Sequence, residues 1–253
     1  MKGQLAVQDQ TSPRCSRTRF IMYASSVGSG ATQRGRFMGF QESAARQTSQ
    51  LDLLAVRILD IGVASCALIF LAPLMIVVAC LVYAVDPGPI FFAHRRMGKD
   101  GRMFPCLKFR SMVTDAEARL KHLLATDPEA RAEWARDYKL RSDPRITPIG
   151  NFLRRSSIDE LPQLLNVLRG EMSIVGPRPI VEGEIERYGR YFAEYSRVKP
   201  GITGLWQVSG RNNVSYRRRV ALDVSYARNK SVVLDLRILA MTVPAVFLAR
   251  GSY

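Results

Sequence analysis

Histidine, cysteine and acidic residues are scarce in this sequence. Two histidines, His94 and His122, are too few for a His-based metal site. Four cysteines (Cys15, Cys66, Cys80, Cys106) show neither a CxxC pair nor zinc-ligand spacing, and two of them lie in an apolar run. They read as free thiols in a reducing or membrane setting. Only 22 acidic residues face 37 basic ones, leaving a formal charge of +15. That excess points to anionic partners: nucleic acid, an anionic membrane leaflet or phosphorylated substrates. The 253 residues suffice for one large domain or two small ones with a real core.

Residues 1–50 are rich in Ser, Gln, Gly, Thr and Arg without a sustained apolar period, and read as a disordered basic tail. Between Asp60 and Asp86 there is no charge at all. A run of about 25 residues at about 1.5 Å each is enough to cross a hydrocarbon core about 30 Å thick. Length alone favours a straight transmembrane helix. Two features favour a bent, re-entrant one. Pro73 sits mid-run, where it removes a backbone hydrogen bond and clashes with the carbonyl of Ile69. Both flanks are also basic, with Arg34, Arg36, Arg46 and Arg57 before and Arg95, Arg96, Lys99 and Arg102 after. A straight span would put one basic cluster outside, against the preference of positive charge for the cytoplasmic side.

Downstream, turn residues "GKDG" (98–101) predict a hairpin between "IFF" and "MFPCLKF". Thr114 with Glu117 predicts a capping box, Asp127-Pro128 and Thr147-Pro148 predict helix starts, and "MSIV" (172–175) predicts a short strand. "KPGITGLWQVSGRNN" reads as a Gly-rich loop, and a basic helix is predicted over about 215–229. The final apolar run between Arg237 and Arg250 is too short to span, and suits the interface or the core.

The stretch "RRSSIDELPQ" places Asp159 and Glu160 side by side behind two arginines. One reading is structural: Ser157 as N-cap and Glu160 as N3 complete a capping box, with Asp159 favoured by the helix dipole. The other is chemical. Beside cations, Asp159 is expected to have a depressed pKa and stay ionised, able to ligate Mg²⁺ or attack phosphorus. Lys108 and Arg110 in "KFR", Arg154, Arg178 in "GPRP" and Arg211 in "GRN" all lie in turn-like or element-end contexts. Pro177 and Pro179 hold Arg178 in a geometry suited to a bidentate phosphate contact. Trp206 suits either base stacking or the core, and Arg217–Arg219 read as a solvated or headgroup-facing run.

The segments "PGPIFFAHRRMGKDGRMFPCLKFRSM", "DPRITPIGNFLRRSSIDELPQLLNVLRGEMSIVGPRP" and "VKPGITGLWQVSGRN" resemble the bacterial sugar transferase family, the monotopic polyprenyl-phosphate phosphoglycosyl transferases. The C-terminal "RRRVALDVSYARNKSVVLDLRIL" resembles the branch that starts exopolysaccharide repeat units with a hexose phosphate. The resemblance implies an α+β fold, mostly helical with short strands. It implies a single membrane-associated domain over 51–253, with a re-entrant membrane helix over about 53–85 kinked at Pro73, interfacial amphipathic helices and a catalytic part over about 86–253. It implies a reaction: UDP-sugar plus polyprenyl phosphate gives polyprenyl-diphospho-sugar and UMP, with Mg²⁺. Galactose or glucose is the expected sugar. By the same resemblance Asp159 and Glu160 are the catalytic and metal-binding dyad, with Asp159 as nucleophile. The family's phosphate- and nucleotide-contacting cations fall on Lys108, Arg154, Arg178 and Arg211, and Arg110 in "KFR" is the further substrate-binding candidate from the residues themselves. The family's helix-breaking Ser-Pro falls on Ala72-Pro73, so the serine is missing here. Anionic lipid is an expected partner and nucleic acid is not; a homodimer is allowed. The expected location is the bacterial inner membrane, facing the cytoplasm. The competing class is a membrane-anchored basic protein that binds anionic lipid or nucleic acid without catalysis; it gives no reason for carboxylates inside the basic motifs.

Overall fold

A 36-residue helix, α1 (Gln50–Val85), takes up the whole apolar run and carries Pro73 inside it. The computed structural model describes residues 50–137, 140–210 and 214–247, all within one compact unit, Ser43–Tyr253. The expectations for the tail, Cys15 and Arg211 lie outside the described residues. α1 is long and apolar enough to cross a membrane, and most of its surface is exposed. Ile69 and Phe70, near its middle, are 77% and 82% exposed. Its buried positions fall in two sets, Val56, Asp60 and Ala64, then Val78 and Val82, each at a spacing of four that keeps it on one face.

Both sets rest on the same body. At the N-terminal half, Arg57 donates to the carbonyls of Val167 and Leu168 at 2.6 and 2.8 Å. One turn on, buried Asp60 accepts from the Ser173 hydroxyl at 2.9 Å and the Ile174 N–H at 2.8 Å. At the far end, Asp86 accepts from the Thr114 N–H at 2.8 Å and pairs with Arg110 at 3.3 Å. Apolar contacts follow the same division. Ala64 joins a core with Phe104, Val167, Met172, Ile174 and Ile238, whereas Val78 and Val82 pack on Phe109 and Leu153.

After α1 comes the expected hairpin, β1 (Phe91–Met97) and β2 (Met103–Phe109), antiparallel about the "GKDG" turn. Asp100 and Gly101 take positive φ there, as a tight connection requires. α2 (Ala116–Thr126) follows, but without the predicted capping box: the Thr114 N–H is spent on Asp86, its hydroxyl lies 3.5 Å from the same carboxylate, and no side chain caps the helix. α3 (Pro128–Asp137) starts as predicted, with Asp127 Oδ1 accepting from the Glu129 and Ala130 N–H groups. α4 (Pro148–Ser156) also starts as predicted, capped by Thr147, whose hydroxyl accepts from the Gly150 N–H at 2.9 Å. Then come α5 (Gln163–Arg169) and β3 (Ser173–Val175).

The segment after β3 folds into two short helices, α6 (Ile185–Tyr188) and α7 (Phe192–Ser196). The Gly-rich segment is not simply a loop. It contains β4 (Gly201–Thr203), parallel to β3, and a helical turn α8 (Leu205–Val208). The glycines serve close approach: a Cβ on Gly201 would lie 2.0 Å from the Gly176 nitrogen, so "GPRP" and "KPGITG" pack backbone against backbone. α9 (Tyr216–Asn229) is the predicted basic helix, and α10 (Val232–Phe247) holds Pro244. The fold is mostly helical with a few short strands.

Candidate active site

The dyad is not where a capping box would put it. Asp159 and Glu160 lie in a one-turn 3₁₀ helix, Ile158–Glu160, between α4 and α5. Ser157 adopts a left-handed conformation (φ 58°) that ends α4, and its side chain makes no cap. Capping therefore fails as an explanation for the pair. Ile158 and Leu161, flanking the carboxylates, pack on the cluster that holds Val78 and Val82 of α1, so the long apolar helix and the dyad share one core.

β2 brings Lys108 to the pair. Its ammonium lies 2.7 Å from Glu160 Oε1 and 3.7 Å from Asp159 Oδ2. Asp159 is 6% exposed, whereas Glu160 is half-buried. The electrostatics reverse the expectation from sequence. Burial pushes the Asp159 carboxyl above its usual value, with Glu160 adding to the effect and Lys108 and Arg154 opposing it. Neighbouring cations were legible in the sequence, but burial was not.

Arg154, on the last turn of α4, donates through Nε to the Ser111 hydroxyl at 2.8 Å, leaving the rest of its fork free of protein partners among the described residues. Gly150 makes that approach possible, since a Cβ there would sit 2.0 Å from the Ser111 carbonyl oxygen. Arg178 is exposed, with its guanidinium 5.8 Å from the centre of the Trp206 ring. Trp206 itself is buried, and Arg219 lies against it at 5.0 Å. Arg219 is thus not part of a solvated run: its partner is the buried Asp223, 3.9 Å away, and only Arg217 and Arg218 stay exposed. Arg110 is not brought to the dyad. It is buried, bonded to the Asp86 carbonyl and carboxylate, and ties the end of α1 to β2.

One cation escaped the sequence reading. Arg96 pairs with Phe104 in the hairpin register, as Phe92 does with Lys108, so period-two alternation puts Arg96 and Lys108 on one face. Burial and then the charge of Arg178 lower its pKa, while Glu184, 4.0 Å away, and Glu160 act against them. Counting outward from the "GKDG" turn would have found it. On that same face, burial pushes the Cys106 thiol up to about 11, so it stays protonated at neutral pH and is no rival nucleophile.

Chemically this is a poorly solvated carboxylate beside the Lys108 ammonium and under the influence of the Arg154 guanidinium. Such a site suits the capture and transfer of a phosphoryl group. Among the described residues no third His, Cys, Asp or Glu completes a metal cage. Two adjacent carboxylates still fit magnesium, which is commonly held through one or two carboxylates with substrate phosphates completing its shell.

Residues 51–249 match the family model described as bacterial sugar transferase. The chain is 51% identical over 200 residues to the exopolysaccharide production protein ExoY of Sinorhizobium fredii, covering 79% of this chain and 88% of that protein. It is 52% identical over 199 residues to the undecaprenyl-phosphate galactose phosphotransferase of Salmonella typhimurium, covering 78% of this chain but 41% of the relative. The undecaprenyl-phosphate glucose phosphotransferase of Komagataeibacter xylinus is 40% identical over 220 residues, with 82% and 38% covered.

Proposed function

We propose, from the premise that this chain belongs to the bacterial sugar transferase family, that it moves a hexose 1-phosphate from a UDP-sugar to polyprenyl phosphate in the bacterial inner membrane, releasing UMP and starting an exopolysaccharide repeat unit. The observation that carries this reading is the buried Asp159 beside Glu160, with the Lys108 ammonium at 3.7 and 2.7 Å, on a body fastened to a long apolar helix. Galactose and glucose are the sugars named for the relatives, and either is the proposed cargo.

In this reading the chemistry runs in two displacements. An Asp159 carboxylate oxygen bonds to the phosphorus that bears the sugar. The bond from that phosphorus to the bridging oxygen breaks, and UMP leaves with the electron pair. A phosphate oxygen of the polyprenyl phosphate then bonds to the same phosphorus, and Asp159 departs as a free carboxylate. Splitting the transfer lets a soluble donor and a membrane-bound acceptor use the site in turn. Lys108, held by Glu160, keeps a positive charge beside the nucleophile; Arg96, Arg154 and Arg178 receive the phosphate oxygens. Arg211 joins this set on its motif alone. Arg110, committed to Asp86, does not. Asp159 and Glu160 would hold Mg²⁺, which supplies neutralisation of the diphosphate charge.

The two anchors of α1 support the proposed membrane geometry. Arg57 and Asp86 are about 43 Å apart along an unbent helix, more than a hydrocarbon core of about 30 Å. A straight span would separate them across the bilayer, yet both bind the same body. This supports re-entry, with Pro73 as the bend and the catalytic part on the cytoplasmic side. Exposed apolar residues of α10, among them Val233, Leu236 and Met241, suit contact with the interface.

The test is incubation of the purified full chain with a panel of UDP-sugars, following UMP with and without polyprenyl phosphate and with a chelator. Sustained, magnesium-dependent UMP release that requires polyprenyl phosphate is expected for one hexose. Free sugar phosphate released without the acceptor, or no turnover with any donor, overturns the reading.

A further inference from the structure

Beside the N-terminal half of α1 lies a cavity of about 80 Å³ bounded by Arg57, Lys99, Arg197, Lys199 and Lys230. None of the residues assigned above to the transfer site lines it. Asp60 is the acid in its wall, and one of its oxygens is already taken by Ser173 and Ile174. Arg197 has Glu194 at 3.2 Å. Among the described residues no carboxylate lies within 4 Å of Lys99, Lys199 or Lys230, although Asp60 acts on Lys199 and Lys230 from farther off and Asp235 acts on Lys230. Burial lowers the pKa of Lys199, with Arg57 adding to the effect, and burial does the same to Lys230. Half-buried, crowded cations of this kind are costly unless an anion joins them.

The surroundings say which anion. Leu53 and Val56 complete the wall, and on the same half of α1 Leu54, Ile58 and Ile61 are 58%, 63% and 41% exposed. The cavity is far below the roughly 300–1,000 Å³ of small-molecule pockets, so a sugar nucleotide does not fit, whereas a phosphate group does. A basic pocket beside an apolar helix at the cytoplasmic surface is the arrangement that captures lipid headgroups.

We propose that this cavity is a headgroup site for an anionic phospholipid, distinct from the dyad, with the lipid phosphate among Lys99, Lys199 and Lys230 and the acyl chains along the exposed apolar surface of α1 that begins at Leu53. The site rests on the membrane placement of α1 given above, but not on the transfer chemistry. Its occupant pins the entry end of the helix to the bilayer surface.

Native mass spectrometry of the detergent-solubilised full chain, titrated separately with phosphatidylglycerol, phosphatidylcholine and inorganic phosphate, tests it. The wild type should retain one phosphatidylglycerol in clear preference to phosphatidylcholine. Lys199→Gln with Lys230→Gln should weaken that retention by roughly tenfold or more. The paired Arg replacements should keep it, as should Lys121→Gln with Arg218→Gln, which removes two exposed charges elsewhere. Equal retention by the wild type and the double Gln variant overturns the proposal. Displacement of the lipid by an equal concentration of inorganic phosphate also overturns it, by assigning the site to free phosphate. UMP release measured on the same samples separates the two readings: lipid preference without sugar transfer leaves the headgroup site standing and removes the catalytic function.

Discussion

Replacing Asn166 should loosen the active site from behind. Asn166 is fully buried on α5, and its amide treats β2 as a neighbouring strand would. Its Oδ1 accepts from the Leu107 N–H at 3.0 Å, and its Nδ2 donates to the Pro105 carbonyl at 2.8 Å and to Glu171 at 2.6 Å. One side chain thus closes the open edge of a two-stranded hairpin, next to Lys108. Asn166→Ala leaves two backbone groups without partners at about 1–3 kcal/mol each, less whatever a trapped water restores. A net loss of about 2–4 kcal/mol is expected, or roughly 5–15 °C in melting temperature for a domain of this size. Asn166→Asp keeps shape and the bond from Leu107, but sets a carboxylate oxygen against the Pro105 carbonyl and Glu171. It should be at least as damaging at neutral pH and partly recover on acidification, when a protonated Asp can donate. Thermal unfolding in detergent, with turnover measured in parallel, reads both effects. If Asn166→Asp melts within 2 °C of wild type at neutral pH, the edge-closing account is wrong.

Gly150→Ala should be destabilising by about 3 kcal/mol, because the new methyl meets backbone that cannot rotate away; a soluble, fully active variant would show that α4 can slide off Ser111. The acid limb of the pH profile of kcat/KM should lie above the ordinary carboxylate value of 3.8, since burial raises Asp159 and the proposed attack needs its ionised form. Lys108→Gln removes the charge that holds Asp159 down, so the limb should move to still higher pH alongside a fall in rate. A limb that stays put or moves down contradicts the placement of Lys108 at the nucleophile.

What the sequence made legible was local. The hairpin came from "GKDG", and two helix starts came from Asp127-Pro128 and Thr147-Pro148, because caps and turns are decided by residues within four positions. The illegible parts depend on contacts between distant segments. β4 is three residues long and exists because Gly176 and Gly201 let it lie against β3. Arg110 read as a phosphate contact until the fold brought Asp86 to it from the far end of α1. Arg219 read as part of a solvated run until α9 packed it against the buried Trp206, with Asp223 four residues on in the same helix. Asp159 was picked out by its neighbours in sequence, but the sign of its pKa shift was set by the burial of its 3₁₀ turn beneath β2. For the same reason Ser157, a good cap by composition, ends a helix instead of starting one.

The central claim is that Asp159 carries the sugar phosphate covalently, and intact-protein mass spectrometry without acceptor tests it most directly. Wild-type enzyme given its UDP-sugar and Mg²⁺, but no polyprenyl phosphate, should release about one equivalent of UMP per site and gain one hexose phosphate on the peptide containing Asp159. Asp159→Asn, which keeps the shape of the side chain, should fold, release no UMP and gain nothing. UMP that appears only when polyprenyl phosphate is present, with no adduct trapped on any residue, would contradict the account and leave Asp159 as a metal ligand in a direct transfer.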